Sequence, residues 1–237
     1  MKIILFALTL LSLPMFASCS SEQIGNILKD AGVGGLSTED VASGLKDALL
    51  KGASKGSDLL SLRDGFYKSA YKIALPPDAK PVCDKLGMIP GFDKIEECLV
   101  EKINRTAEDA AKKAKPIFVS AIQQMTIKDA WNILKGDDIA ATQYLINTTK
   151  QSLYNEFKPV IVESLNKFGA LNYWSSAVDR YNKFPLVKQV NPDIADYVTG
   201  KTLDGLFQKI AEEEKDIRHN LNARTSELLK RVFAKQN

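Results

Sequence analysis

Apolar residues recur three and four positions apart along nearly the whole chain, and runs that alternate apolar with polar residues are almost absent. That period lines one face of a helix, so the pattern predicts an all-α, multi-helix bundle. "LSTEDVASGLKDALLKGASKG" opens with Ser37 and carries Asp40 three residues on, a capping box for a helix start. In "DKIEECLVEKINRTAEDAAKKAKPIFVSAIQQM", Ile95, Leu99, Ile103, Ala107, Ala110, Ala114, Phe118 and Ile122 form the apolar face, and Pro116 is expected to kink or restart the helix. "MTIKDAWNILKG" is framed by Thr126 and Asp129 at its start and by Gly136 at its end. A long helix bent at Pro159 follows, then helices in "NYWSSAVDRYNKF", in "NPDIADYVTG" with Asn191 as cap and Pro192 in its first turn, and in the last two segments. Only Ile73 to Leu75, ahead of Pro76 and Pro77, is expected to be extended.

The first residues read differently. Lys2, the apolar run from Ile3 to Leu13 and the small residues Ala17 and Ser18 make a secretory signal too short to span a bilayer. Cys19 directly after two small residues resembles the bacterial lipobox, with Phe16 where leucine is commonest. The resemblance implies cleavage before Cys19, acylation of its thiol and new N-terminus, and a membrane tether without a span. Ordinary signal-peptidase cleavage near Ala17 is the alternative. Ser20 in place of aspartate favours the outer membrane, by analogy with lipoprotein sorting. Residues 1–18 are thus a signal peptide, and residues 19–36 a tether with a short helix from Glu22 to Ala31 and glycines at 32, 34 and 35. Residues 37–237 form one helical domain.

Charge narrows the partners. Removing residues 1–18 takes away Lys2 and no acid, so the formal charge falls from +3 to +2, which offers no electrostatic footprint for nucleic acid. Three cysteines occur, and Cys83 and Cys98 lie seven residues before Pro90 and seven after Gly91. That symmetry in a helical hairpin suits a disulfide in an oxidising envelope, with two buried free thiols as the alternative. Two ligands alone do not close a metal site, and neither a metal nor a cofactor is expected.

Gly44, Ala48, Gly52 and Gly56 fall every fourth residue. Such a stripe either admits a closely packed helix or lines a groove, to which aromatics such as Trp174 and Tyr181 would contribute walls. The groove reading gives the domain an apolar ligand or an envelope protein as its partner.

"IALP", "NRTAEDA", "MTIKDAWNILKGDDIAATQYL", "YVTGKTLDGLFQKIAEEE" and "IRHNLNARTSELLKRVF" together resemble a family of exported bacterial helical proteins known only as a domain of unknown function, family 4197. The likeness runs from about Leu59 to Phe233, with Leu221 where proline is expected and Thr106 where alanine is. The family implies an all-helical fold and brings no activity with it.

Candidate chemistry is sparse. His219, the only histidine, has no nucleophile motif beside it and suits a helix end. Glu213, Glu214, Arg218 and Arg224 form a charge cluster that reads either as a partly buried network pinning the last helices or as paired carboxylates of an unrecognised enzyme. Asp137 and Asp138 read as helix caps before they read as metal ligands. The expectation is a membrane-anchored, periplasm-facing lipoprotein that binds or scaffolds without catalysis.

Overall fold

The computed structural model describes residues 37–224 and 226–233; the expected signal peptide, Cys19 and the expected tether with its short helix lie outside them. The helices, in order, are α1 (Thr38–Ser61), α2 (Ala79–Leu86), α3 (Ile95–Ala111), α4 (Ala114–Gln123), α5 (Ile127–Lys135), α6 (Ala140–Lys167), α7 (Ala170–Asn182), α8 (Ala195–His219) and α9 (Glu227–Phe233). A single 3-10 turn, Leu221–Ala223, joins the last two. No strand occurs among the described residues, and none of their helices is long and apolar enough to cross a membrane.

α1 is the axis of the bundle, packed on α8, α4, α5, α3 and α9, while α6 lies along α8 and closes the far side with α3 and α4. α7 covers one end against α2, α3 and α6. The apolar face expected from Ile95 to Ile122 is buried throughout, no member more than 2% exposed.

Local signals place several of these boundaries. At the start of α1, Ser37 Oγ accepts from the Asp40 amide and Asp40 Oδ2 from the Ser37 amide, both at 3.0 Å. Thr126 and Asp129 repeat the arrangement at α5, which ends on Gly136. The chain restarts at Ala114, so that Pro116 sits in the first turn of α4, where its missing N–H costs nothing.

Two boundaries differ from expectation. Asn191 does not cap a helix: its side chain accepts from the Asp193 amide, Asp193 then accepts from the Ala195 amide, and α8 begins only there. α8 also runs unbroken through Gly200, because tertiary packing along its whole length outweighs the preference of one glycine. The segment at Ile73 is non-helical as expected, yet it has no neighbouring strand. Asn104 stands in for one, accepting from the Ile73 amide and donating to its carbonyl, both at 2.8 Å.

Candidate functional site

The first turn of a helix has four amides without partners. At the start of α6 two of them are answered from α8: Glu214 Oε1 accepts from the Ala141 amide at 2.9 Å, and Oε2 from the Thr142 amide and hydroxyl at 2.7 and 2.8 Å. Arg218, one turn on, donates to Glu214 Oε1 through Nε at 3.0 Å and Nη2 at 2.9 Å. Its Nη2 also donates to the Ile133 carbonyl, in the last turn of α5, at 2.9 Å. The pair thus joins the positive end of α6 to the negative end of α5 with charges of the matching sign. Arg224 performs the same service for α8, donating to the carbonyls of Ile217 at 3.0 Å and Arg218 at 2.5 Å. Both guanidinium groups lie against the Phe233 ring, at 5.9 and 5.7 Å from its centre. Burial alone pulls Arg224 below its ordinary pKa.

Glu213 points elsewhere. It meets Lys55 of α1 at 2.6 Å and Lys209 at 2.9 Å, so the two adjacent glutamates diverge and do not flank a common point. The hydrogen bond to Glu213 raises the Lys55 pKa despite some desolvation. Beside Glu214 and Arg218 lies a cavity of about 20 Å³ walled by apolar side chains such as Leu45, Leu49, Ile210 and Phe233. It has room for roughly one water and none for a substrate.

A family model described as "Protein of unknown function (DUF4197)" matches residues 35–234. The chain belongs to this family. No curated protein and no solved structure matches it. All the charge clusters described here fall within the DUF4197 domain, including the "NRTAEDA" stretch that carries part of the likeness.

The small-residue stripe of the domain is largely filled from within. A Cβ at Gly44 would come within 2.9 Å of Leu228 Cγ in α9, and one at Gly56 within 3.4 Å of Ile210 in α8; Ala48 is buried. Trp174 and Tyr181 are buried in α7, which packs on α2, α3 and α6, so they wall no groove at α1. Of the two readings of the stripe, close packing is the one these contacts match: α8 and α9 supply the close-packed neighbours that small residues invite. Only at Gly52 does the stripe border open space, a recess of about 860 Å³ between α1 and the α8–α9 turn. Ile217 stands 3.6 Å from where a Gly52 Cβ would be, an ordinary contact.

A second buried polar cluster was not singled out as a site from sequence. Glu108, on α3, accepts from the amides of Phe66 and Tyr67 at 3.2 and 3.1 Å and from Arg105 Nη1 at 3.0 Å. Arg105 also holds Asp64, at 2.7 Å, whose φ of 70° bends the loop back onto α3. Its desolvation opposes the charged form, but bonds to Glu108 and Asp64 outweigh it and drive its pKa up. With Asn104 on Ile73, three residues of "NRTAEDA" tie residues 64–73 to α3. The signal in the sequence was the spacing of Arg105 and Glu108 at three, but their partners lie about forty residues away and have no local signature.

The remaining candidates are quickly placed. Cys83 and Cys98 are free thiols, so the disulfide expected from their spacing is not formed. Cys83 is buried, and desolvation pushes its thiol up to about 11. His219 ends α8 with a ring nitrogen 2.7 Å from Asp138, and Asp137 accepts from the Ile139 amide. No group of three or more metal-binding side chains lies together among the described residues.

Proposed function

We propose that this DUF4197 chain is a lipid-anchored, periplasm-facing module of a bacterial envelope that binds an apolar ligand or an envelope protein and performs no chemistry on it. The address rests on the run from Ile3 to Leu13, the small residues Ala17 and Ser18, and Cys19, with Ser20 favouring the outer membrane. The observation that carries the binding part is the recess at Gly52, with Leu59, Ile217 and Leu229 as walls and Lys51, Lys55 and Glu213 around them. Apolar walls with a few charged groups are the usual make-up of a ligand site. The competing enzyme reading requires free, convergent groups, whereas Glu214 and Arg218 are spent on helix ends and on each other.

Native mass spectrometry of the detergent-extracted full chain tests the binding part. The parent is expected to carry a bound species of defined mass that Gly52→Leu loses, with Tm moved by less than about 4 °C. A parent without any bound species, or a variant that melts far earlier, leaves only a structural helical domain. Intact-mass analysis tests the address separately, with acyl groups expected on an N-terminal Cys19; an unmodified N-terminus elsewhere overturns it.

A further inference from the structure

Two of the exposed large apolar side chains among the described residues stand at the recess beside Gly52. Leu59, 41% exposed, is one of its walls, and Leu221, 59% exposed, lies between Asn220 and Asn222, which line it. Ile217, Ala223 and Leu229 continue the apolar lining. The charged groups around it are Lys51, Lys55, Asp58, Glu213 and Asp216, two cations against three acids. Most are already matched, Lys51 with Asp47, Lys55 with Glu213 and Asp58 with Lys115. A paired rim around apolar walls suits an occupant whose contact face is apolar and carries no charge.

The chain has such a face close by in sequence. In the segment 22–31, which lies outside the described residues, Ile24, Ile27, Leu28 and Ala31 follow helical spacing, while Glu22, Lys29 and Asp30 fall away from that face. Ten residues are too few for a helix to hold alone in water, so a face of this kind needs a surface to lie on.

Distance admits the recess as that surface. Gly52 lies fifteen residues beyond Ser37, about 22 Å along α1. The six steps from Ala31 to Ser37 reach up to about 20 Å, and Leu28 and Ile24 lie about 4 and 10 Å further back along their own helix. A course antiparallel to α1 therefore brings Ile24, Ile27 and Leu28 level with Gly52 and Lys55. Three of the five connecting residues are glycine, which lets the chain reverse. Ser43, Asp47, Lys51 and Lys55, one turn apart, are none of them buried, and they mark an uncovered lane along α1 to the recess. A connection this short holds the segment near the recess at roughly millimolar effective concentration, ahead of a second copy or a dilute partner.

We propose that residues 22–31 dock in the recess as a helix, seating Ile24, Ile27 and Leu28 against Leu59, Ile217 and Leu229, and that an apolar ligand must displace them to enter. The inference rests on the reading of this recess as a binding site and adds what occupies it between ligands. Docking also draws the start of the chain against the body, so that ligand entry lengthens the tether.

Hydrogen exchange read by mass spectrometry tests it on the detergent-extracted full chain, stripped of any bound species by unfolding in urea and refolding. Peptides within residues 22–31 are expected to exchange at least about tenfold more slowly in the parent than in Gly52→Leu, which fills the recess, or in Leu59→Asp, which puts a charge on its wall. Exchange in α3 should stay at the parent rate and shows that the fold is intact; if Gly52→Leu disturbs it, Leu59→Asp, altered at an exposed position, carries the test. No protection of residues 22–31 in the parent overturns the proposal. Protection that survives both substitutions overturns it as well and assigns the segment to the detergent or lipid surface. Protection after stripping, with no bound species in the original extract, keeps the docking and drops the external ligand; a bound species in the extract and no protection after stripping do the reverse.

Discussion

Glu214 reaches from near the C-terminal end of the last long helix to Thr142 in the first turn of α6, taking both its amide and its hydroxyl within 2.8 Å. The carboxylate is a helix cap delivered from another helix, and Arg218 neutralises it. Removing it takes the counter-charge from a buried guanidinium and the acceptor from two α6 amides at once. Glu214→Ala is therefore expected to cost about 3–5 kcal/mol, measured by urea unfolding. A loss below about 1 kcal/mol would show that the cluster is not what pins α6 to α8.

The glycines separate by what surrounds them. No atom lies within 4 Å of a Cβ built at Gly200, inside α8, so Gly200→Ala should stabilise by up to about 1 kcal/mol through helix propensity. Gly44→Ala places a methyl 2.9 Å from Leu228 Cγ and 3.2 Å from Val232, and overpacking of about 1–3 kcal/mol should outweigh the same gain. Opposite signs of the change in Tm are the expected result; a rise in both would mean that α9 shifts aside freely.

Acid should weaken the fold through its caps. The Asp129 carboxyl is held below its ordinary 3.8 by bonds from the Thr126 side chain and amide, and Asp40 by bonds from the Ser37 amide and hydroxyl. A folded-state pKa below the unfolded one means stability that is present above about pH 4 and lost as pH falls through the folded value. Melting curves from pH 7 to pH 2 should show that decline, and Asp129→Asn should make it shallower. An unchanged slope would assign the decline to other carboxylates.

The thiols should differ in reactivity. Cys83 is buried with its thiol pushed up to about 11, so little thiolate is present at neutral pH, whereas Cys98 is half-buried. Without reductant, Cys98 is expected to alkylate in the native protein and Cys83 only on unfolding. Linked peptides in a non-reducing digest would instead restore the pairing suggested by their equal distance from Pro90-Gly91.

Much of the architecture was legible because its causes are local. The three-and-four spacing marked the buried face from Ile95 to Ile122, and Ser37 with Asp40 and Thr126 with Asp129 marked two helix starts. Periodicity names a face and leaves its partner open, which is why the stripe at Gly44 and Gly56 allowed either a close-packed helix or a groove, and only the fold shows α9 and α8 filling it. Trp174 and Tyr181 were joined to that groove by size and chemistry, although α7 packs at the other end of α3 and α6. Glu213 and Glu214 were picked out by charge, but their opposite allegiances, Lys55 and Thr142, depend on which helices flank α8. Asn104, Arg105 and Glu108 were visible as a motif, and only the returning loop at residues 64–73 gives them work.

The first described helix, α1, is covered by the last two, α8 and α9. Ribosomal synthesis delivers α1 long before either of them, so α3, α4 and α5 reach it first and the side it turns to α8 and α9 stays uncovered until the C-terminal helices appear. Such contacts between distant parts of a chain close slowly. A nascent polypeptide of this design stays incomplete on that side until its synthesis is nearly finished, and truncation ahead of α8 would leave a product with that apolar side bare.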